Sequence, residues 1–218
     1  MITFGQKLYV VPGGRWDVQY NRDGAVMIYE DGTWTNISTA DISPYASRPI
    51  KDFMNVAPDP RDPEHFWVTS YGTGLYEFRG TQVMNKYLPA EDNTLGSAVA
   101  SNIGAYTRLD FAQYDAAGNL WLAESGRVEN QLVAIDTEGG WHGIPLMVDG
   151  QQMILATVGG FLIDNRYPNY KWIGCARGAN IGLYLIDDGG TPFDTSEDRK
   201  STRLNSSHIG SSRMPSSA

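Results

Sequence analysis

Apolar residues in this chain come in short runs separated by Gly, Asp, Asn and Pro. Phe66-Trp67-Val68, Leu120-Trp121-Leu122 and Trp172-Ile173 form one set, and their tryptophans lie 54 and 51 residues apart. An aspartate stands six to eight positions ahead of each one: Asp59, Asp115 and Asp164. A second apolar run follows every time, over residues 74–78, 131–136 and 182–187, and a fourth copy over residues 24–29 precedes them all. Runs this short, bounded by turn-forming residues, predict β-strands.

A repeat near fifty residues built from such strands predicts the blades of a β-propeller and not a helical solenoid. Ala25 to Trp34 and Leu132 to Trp141 are both nine steps apart and enclose Glu30-Asp31-Gly32 in one copy and Thr137-Glu138-Gly139-Gly140 in the other. Asp-Gly and Gly-Gly supply the positive φ values that tight hairpins require. Each unit therefore reads as an antiparallel four-stranded meander. A single meander cannot bury both faces, so units must stack, and their middle strands are accordingly apolar without interruption. The expectation is an all-β array of about four blades over residues 1–50, 51–104, 105–150 and 151–197. It resembles an incomplete propeller with an open edge.

Within that array Trp67, Trp121 and Trp172 are expected to pack between blades as core residues, because aromatic rings dominate buried area. The three aspartates are expected to close turns by accepting from nearby backbone amides. The long connections over residues 38–51 and 90–107 are polar or small in composition and are expected as surface loops.

Residues 198–218 break every one of these rules. They hold seven serines, four basic residues and one acid, with no strand or helix period. The string resembles the translation of a common sequencing adapter and is read as a non-native, disordered tail, excluded from fold reasoning. Without it the net charge moves from −8 to −11, since Lys plus Arg falls to 13 and Asp plus Glu to 24. An acidic balance of that size argues against nucleic acid as a partner. No segment approaches the ~20 apolar residues of a membrane-spanning helix. The first residues lack the charged start and apolar core of a signal peptide, and Met1 reads as an internal methionine of a longer frame. Cys175, the one cysteine, has no partner for an internal disulfide, so the compartment stays open on that count.

Motifs of chemistry are few. Outside the tail the histidines are His65 and His142, neither with a Cys or His at metal-ligand spacing, so no metal site is expected. A nucleophile elbow, a phosphate-binding loop and a dinucleotide fingerprint are missing, so no catalytic residue and no cofactor is assigned. The acidic group Asp187-Asp188-Gly189-Gly190 lacks the alternating ligands of a calcium loop and reads as a solvated turn. The candidate binding surface follows from topology alone. Loops between second and third strands emerge on one face of every blade, which places residues 70–73, 124–130 and 176–181 on a shared rim. Tyr71, Glu124, Arg127 and Arg177 are the recognition groups expected there, by the usual enrichment of Tyr and Arg in interfaces.

The segments Tyr114-Asp115-Ala116-Ala117-Gly118-Asn119-Leu120-Trp121 and 131–141 resemble the two-component regulator propeller repeat, common in Bacteroidetes. Four strings, beginning at Val10, Val26, Asp59 and Asp115, together resemble the PorZ family over roughly residues 7–194. That family comprises propeller-bearing surface components of the type IX secretion apparatus. The resemblance implies a non-catalytic interaction module for protein or glycan contacts, at the periplasm or cell surface. Its partners would be other secretion-system proteins or a surface glycan. In the family a C-terminal β-domain follows the propellers and docks to the secretion machinery; none of it is present in this chain. An alternative from the same repeat is the periplasmic ligand-sensing propeller of a hybrid two-component histidine kinase.

Overall fold

The computed structural model describes residues 1–14, 21–42, 49–90, 92–99, 106–127, 129–194 and 200–204, with only the backbone described at 200–203. Four antiparallel four-stranded meanders follow one another among the described residues, the second and third joined edge to edge into one eight-stranded sheet. Blade one holds β1 (Ile2–Phe4), β2 (Lys7–Val10), β3 (Val26–Glu30) and β4 (Thr33–Ile37). Blade two holds β5 (Phe53–Pro58), β6 (His65–Gly72), β7 (Gly74–Arg79) and β8 (Gln82–Tyr87). Blade three holds β9 (Thr107–Tyr114), β10 (Leu120–Glu124), β11 (Leu132–Ile135) and β12 (Trp141–Ile144). A small hairpin, β13 (Met147–Val148) with β14 (Gln151–Gln152), leads into blade four. That blade holds β15 (Thr157–Ile163), β16 (Tyr170–Arg177), β17 (Gly182–Asp187) and β18 (Lys200–Leu204). Each blade is a four-stranded antiparallel meander, and together they form part of a β-propeller.

Strand alternation distributes side chains between neighbours. On β6, Phe66 and Val68 face blade one, where they pack with Tyr9, Val26 and Ile37. Trp67 faces the other way and packs with Leu109, Leu120 and Val133 of blade three. Trp121 repeats the arrangement one blade on, against Ile173, Tyr184 and Ile186. Both indoles are buried, with exposures of 7% and 1%. Pairing register locates the same position elsewhere: Trp67 lies opposite Glu77, Trp121 opposite Ala134, Trp172 opposite Leu185 and Tyr9 opposite Ile28. Tyr9 is thus the blade-one counterpart of the tryptophans.

Trp172 departs from expectation. It is only half-buried, because it lies on the face of blade four that no other blade covers among the described residues. The aspartates behave as read: Asp59, Asp115 and Asp164 accept from the amides of Arg61, Ala117 and Arg166 at 2.9, 3.0 and 2.9 Å. Asp115 also accepts from the Trp121 indole at 2.8 Å, tying the turn to the core ring.

Two further differences concern segments read as irregular. The connection after β4 contains a one-turn helix, α1 (Thr39–Ile42), in which the Asp41 carboxylate accepts from the Ser38 amide at 2.7 Å, a capping arrangement, while Ile42 is buried in the core. In the region read as tail, Lys200–Leu204 forms the fourth strand of blade four, pairing with β17 from Leu183↔Leu204 to Asp187↔Lys200. An open strand edge offers a row of backbone donors and acceptors that an extended segment of any sequence can satisfy. This explains how a composition without strand character is drawn into a sheet. Residues 205–218 lie outside the described residues.

Candidate functional site

The loops between second and third strands do share one end of the blades, and the crossovers between blades reach the same end. Loop and crossover are stitched together throughout. The Gly126 amide donates to the Leu155 carbonyl at 2.8 Å, the Ser125 amide to the Arg108 carbonyl at 2.9 Å, and the Asn180 side chain to the Ile154 carbonyl at 2.9 Å. Gln131 closes two more bonds, accepting from Leu155 N at 2.7 Å and donating to Leu155 O at 3.1 Å.

A cleft of about 250 Å³ opens at this end over the blade-two turn, between Asn21 and Pro49 on the blade-one side and Tyr106 on the crossover to blade three. Lys51, Asp52, Tyr71, Gly72, Thr73 and Tyr106 line it. The turn from β6 to β7 builds its floor. Gly74 sits there with φ +89°, and a Cβ would come within 2.2 Å of the Tyr87 carbonyl, so only glycine fits. Beyond Ser70, β6 leaves its own hairpin and pairs with β9 through Tyr71↔Arg108 and Gly72↔Thr107, which joins the two blades at the cleft. Tyr71 is 6% exposed, with its amide donating to the Asp52 carbonyl at 2.9 Å. Its ring meets Tyr106 edge-on at 6.4 Å. The Arg108 guanidinium lies over both rings, 5.2 Å from Tyr71 and 4.8 Å from Tyr106, a double cation–π arrangement. Arg108 Nε is buried with no hydrogen-bond partner among the described residues. Asp52 holds a left-handed φ of +52°, stabilised because its carboxylate accepts from the amides of Asn21 and Arg22 at 3.0 and 2.9 Å.

Glu124 and Arg127, expected on display, instead turn into the loop layer. Glu124 is 1% exposed. Its carboxylate takes Arg127 Nη1 at 2.8 Å and the Gly96 amide at 3.2 and 3.3 Å, while Arg127 also holds the Thr94 carbonyl. The pair latches the crossover between blades two and three. Burial pushes the Glu124 carboxyl up to about 7 against the opposing pull of Arg127. Arg177 is exposed at the end of β16, two blades on from Tyr71. The structure therefore gathers Tyr71 with Tyr106 and Arg108, and Glu124 with Arg127, and leaves Arg177 apart from both.

Tyr106, Arg108, Lys51 and Asp52 escaped the sequence reading. Lys51, Asp52 and Tyr106 belong to crossovers between blades and Arg108 to the start of β9, whereas strand-and-turn patterns point only to the turns within a blade.

Both histidines are engaged in turns at the opposite end of the blades. His65 Nδ1 lies 3.0 Å from Asp59 Oδ2 and its Nε2 lies 3.1 Å from Glu77 Oε1. The Glu77 hydrogen bond raises the imidazole above its ordinary value, and the same contact draws Glu77 down. Burial alone would raise Asp59, but hydrogen bonds from Arg61 and His65 hold it far below the carboxylate range. His142 pairs with Asp136 at 2.7 Å and stacks on Phe193 at 4.1 Å. Among the described residues no group of three or more His, Cys, Asp or Glu is placed to hold a metal ion.

No family model matches the chain, and no curated protein matches it. Among solved structures it is similar over 94% of its length to PorZ of Porphyromonas gingivalis, an essential bacterial surface component of the type-IX secretion system, at 24% identity and a TM-score of 0.74. The chain spans 26% of that protein. A structural genomics protein of unknown function from Bacteroides thetaiotaomicron VPI-5482 aligns with 84% of this chain and 42% of its own, at 14% identity and a TM-score of 0.49. YCF48 bound to a D1 peptide aligns with 83% and 46%, at 16% identity and a TM-score of 0.41. The PorZ likeness establishes the propeller fold.

Proposed function

We propose that this chain is a non-catalytic β-propeller interaction module of a PorZ-like surface protein of type IX secretion. It acts at the periplasm or cell surface and makes contacts with other secretion-system proteins or with a surface glycan. The observation that carries the reading is the match of blade arrangement to PorZ across 94% of the chain. The contact region is the loop end of the blades, centred on the Tyr71 cleft, with Arg177 as an outlying exposed cation. Tyr106 and Lys51 line the cleft over the buried Tyr71, Asp52 and Thr73, which sets an aromatic ring and a cation side by side, a mixture that polar ligands and protein side chains both use.

The test uses the intact parent protein carrying Tyr71→Ser with Arg177→Ala. Co-purification of secretion-apparatus proteins and binding of purified surface lipopolysaccharide are measured against the unaltered protein. Reduced retention of either is expected. Unchanged retention of both would remove this end of the blades from consideration, and an absence of both ligands from the unaltered protein would overturn the secretion reading itself.

A further inference from the structure

The Tyr71 cleft holds its charges in two different ways. Asp52 is 4% exposed and spends its carboxylate on the amides of Asn21 and Arg22, so its acceptors are taken up inside the loop. Lys51 lines the same cleft with 32% of its side chain exposed, and its ammonium is paired with the carboxylate of Asp23, itself 76% exposed. Ion pairs this exposed are weak. Asp23 nevertheless stays at hand, because an isolated backbone bridge sets it beside Lys51. A second cation stands close by: Arg108 lies on the Tyr106 and Tyr71 rings, its Nε has no hydrogen-bond partner, and it forms no ion pair among the described residues. Ring faces offset a cation only in part, so positive charge is left over beside the Tyr106 wall.

An anionic ligand suits that arrangement, and the lining narrows which one. Thr73 Oγ1 is bonded to Ser70 Oγ at 2.6 Å and Asp52 is engaged with the backbone, so little is left to receive the several hydroxyls of a sugar. Hydroxyls buried without partners are costly. A side chain with an apolar stem and one terminal carboxylate needs only the Tyr106 ring and the Lys51 ammonium, and a cleft of about 250 Å³ is of side-chain size. We infer that the cleft takes an acidic side chain of a partner protein, whose carboxylate displaces Asp23 from Lys51 while its stem lies against Tyr106. This rests on the reading of the loop end as the contact region. Asp23 then acts as a built-in occupant: it covers the cation while the cleft is empty and gives way to a carboxylate that also gains the ring.

N-acetyl-glutamate amide is the probe, and N-acetyl-glutamine amide, of the same shape without the charge, is its control. Each is titrated into the isotope-labelled 218-residue chain and followed by NMR through the backbone amides of Thr73 and Tyr106. The glutamate probe is expected to bind and the glutamine probe to bind about tenfold more weakly, the scale of one lost charged hydrogen bond. Lys51→Met is expected to abolish that preference. Asp23→Asn is expected to tighten the glutamate probe by about two- to fivefold, because a weak exposed pair no longer competes. A gain in affinity does not arise from misfolding, so this variant decides the matter even where Lys51→Met fails to fold. Equal binding of the two probes, binding of neither, or an Asp23→Asn chain with unchanged affinity would each overturn the inference. Tighter binding of glucuronate than of the glutamate probe would overturn it in favour of an acidic sugar. Retention of partners by the intact parent carrying Tyr71→Ser with Arg177→Ala is measured separately, so the contact reading and the acidic ligand stand or fall apart from each other.

Discussion

Trp67 of blade two donates its indole N–H to the Tyr114 hydroxyl of blade three at 2.9 Å, and that hydroxyl donates in turn to Asp59 of blade two at 3.2 Å. The bond crosses the blade boundary twice at the turn that also binds His65. Tyr114→Phe leaves a buried indole donor unsatisfied and strips Asp59 of one partner, which costs about 1–3 kcal/mol. Urea unfolding followed by tryptophan fluorescence checks it. A loss below a few tenths of a kcal/mol would show the boundary does not depend on the bond.

The tryptophans are expected to separate by environment. Trp121→Ala empties a site buried on all sides and is expected to cost about 3–5 kcal/mol. Trp172→Ala truncates a half-buried ring on a face that no other blade covers among the described residues and is expected to cost less than half as much. Equal losses would contradict the assignment of an open blade-four face.

Lys171 is 2% exposed and pairs with the equally buried Asp188, while its ammonium lies 4.5 Å from the Trp121 ring centroid. Removing one partner from such a pair strands the other charge in an apolar setting. Lys171→Met is expected to destabilise by about 3–5 kcal/mol. Adding Asp188→Asn restores part of that loss. Strict additivity of the two losses would show that the side chains act independently.

Glu124 sets a pH dependence of defined sign. Its folded value of about 7 stands above the ordinary 4.5, so between these values the folded chain binds more protons than the unfolded chain. Its contribution to stability therefore declines as pH rises from 4.5 to about 7 and levels off beyond. Urea midpoints across that window are expected to show this decline, and Glu124→Gln is expected to flatten it. An unchanged slope in the variant would assign the dependence to other groups.

The Tyr71 cleft illustrates why the site was only partly legible. Tyr71 was identifiable because a turn between two strong strand signals is a local feature. Arg108 and Tyr106 sit on it only because β6 overruns its hairpin and pairs with β9, through Tyr71↔Arg108 and Gly72↔Thr107, contacts too distant along the chain for a local pattern to encode. Glu124 and Arg127 show the converse. Charged residues in a short loop read as solvent-facing, yet a crossover folds back over them and supplies Gly96 N and Thr94 O as partners.

By itself the sequence determined the all-β class, the number of blades and the registry of their core indoles, because strand period, turn chemistry and a fifty-residue repeat are local and recur. Tertiary structure decided which indole is covered, which loops make a cleft and which charges are buried. Those outcomes depend on what lies across from each residue in space, and the same Trp-bearing strand is core in blade three and uncovered in blade four for no reason other than its neighbour.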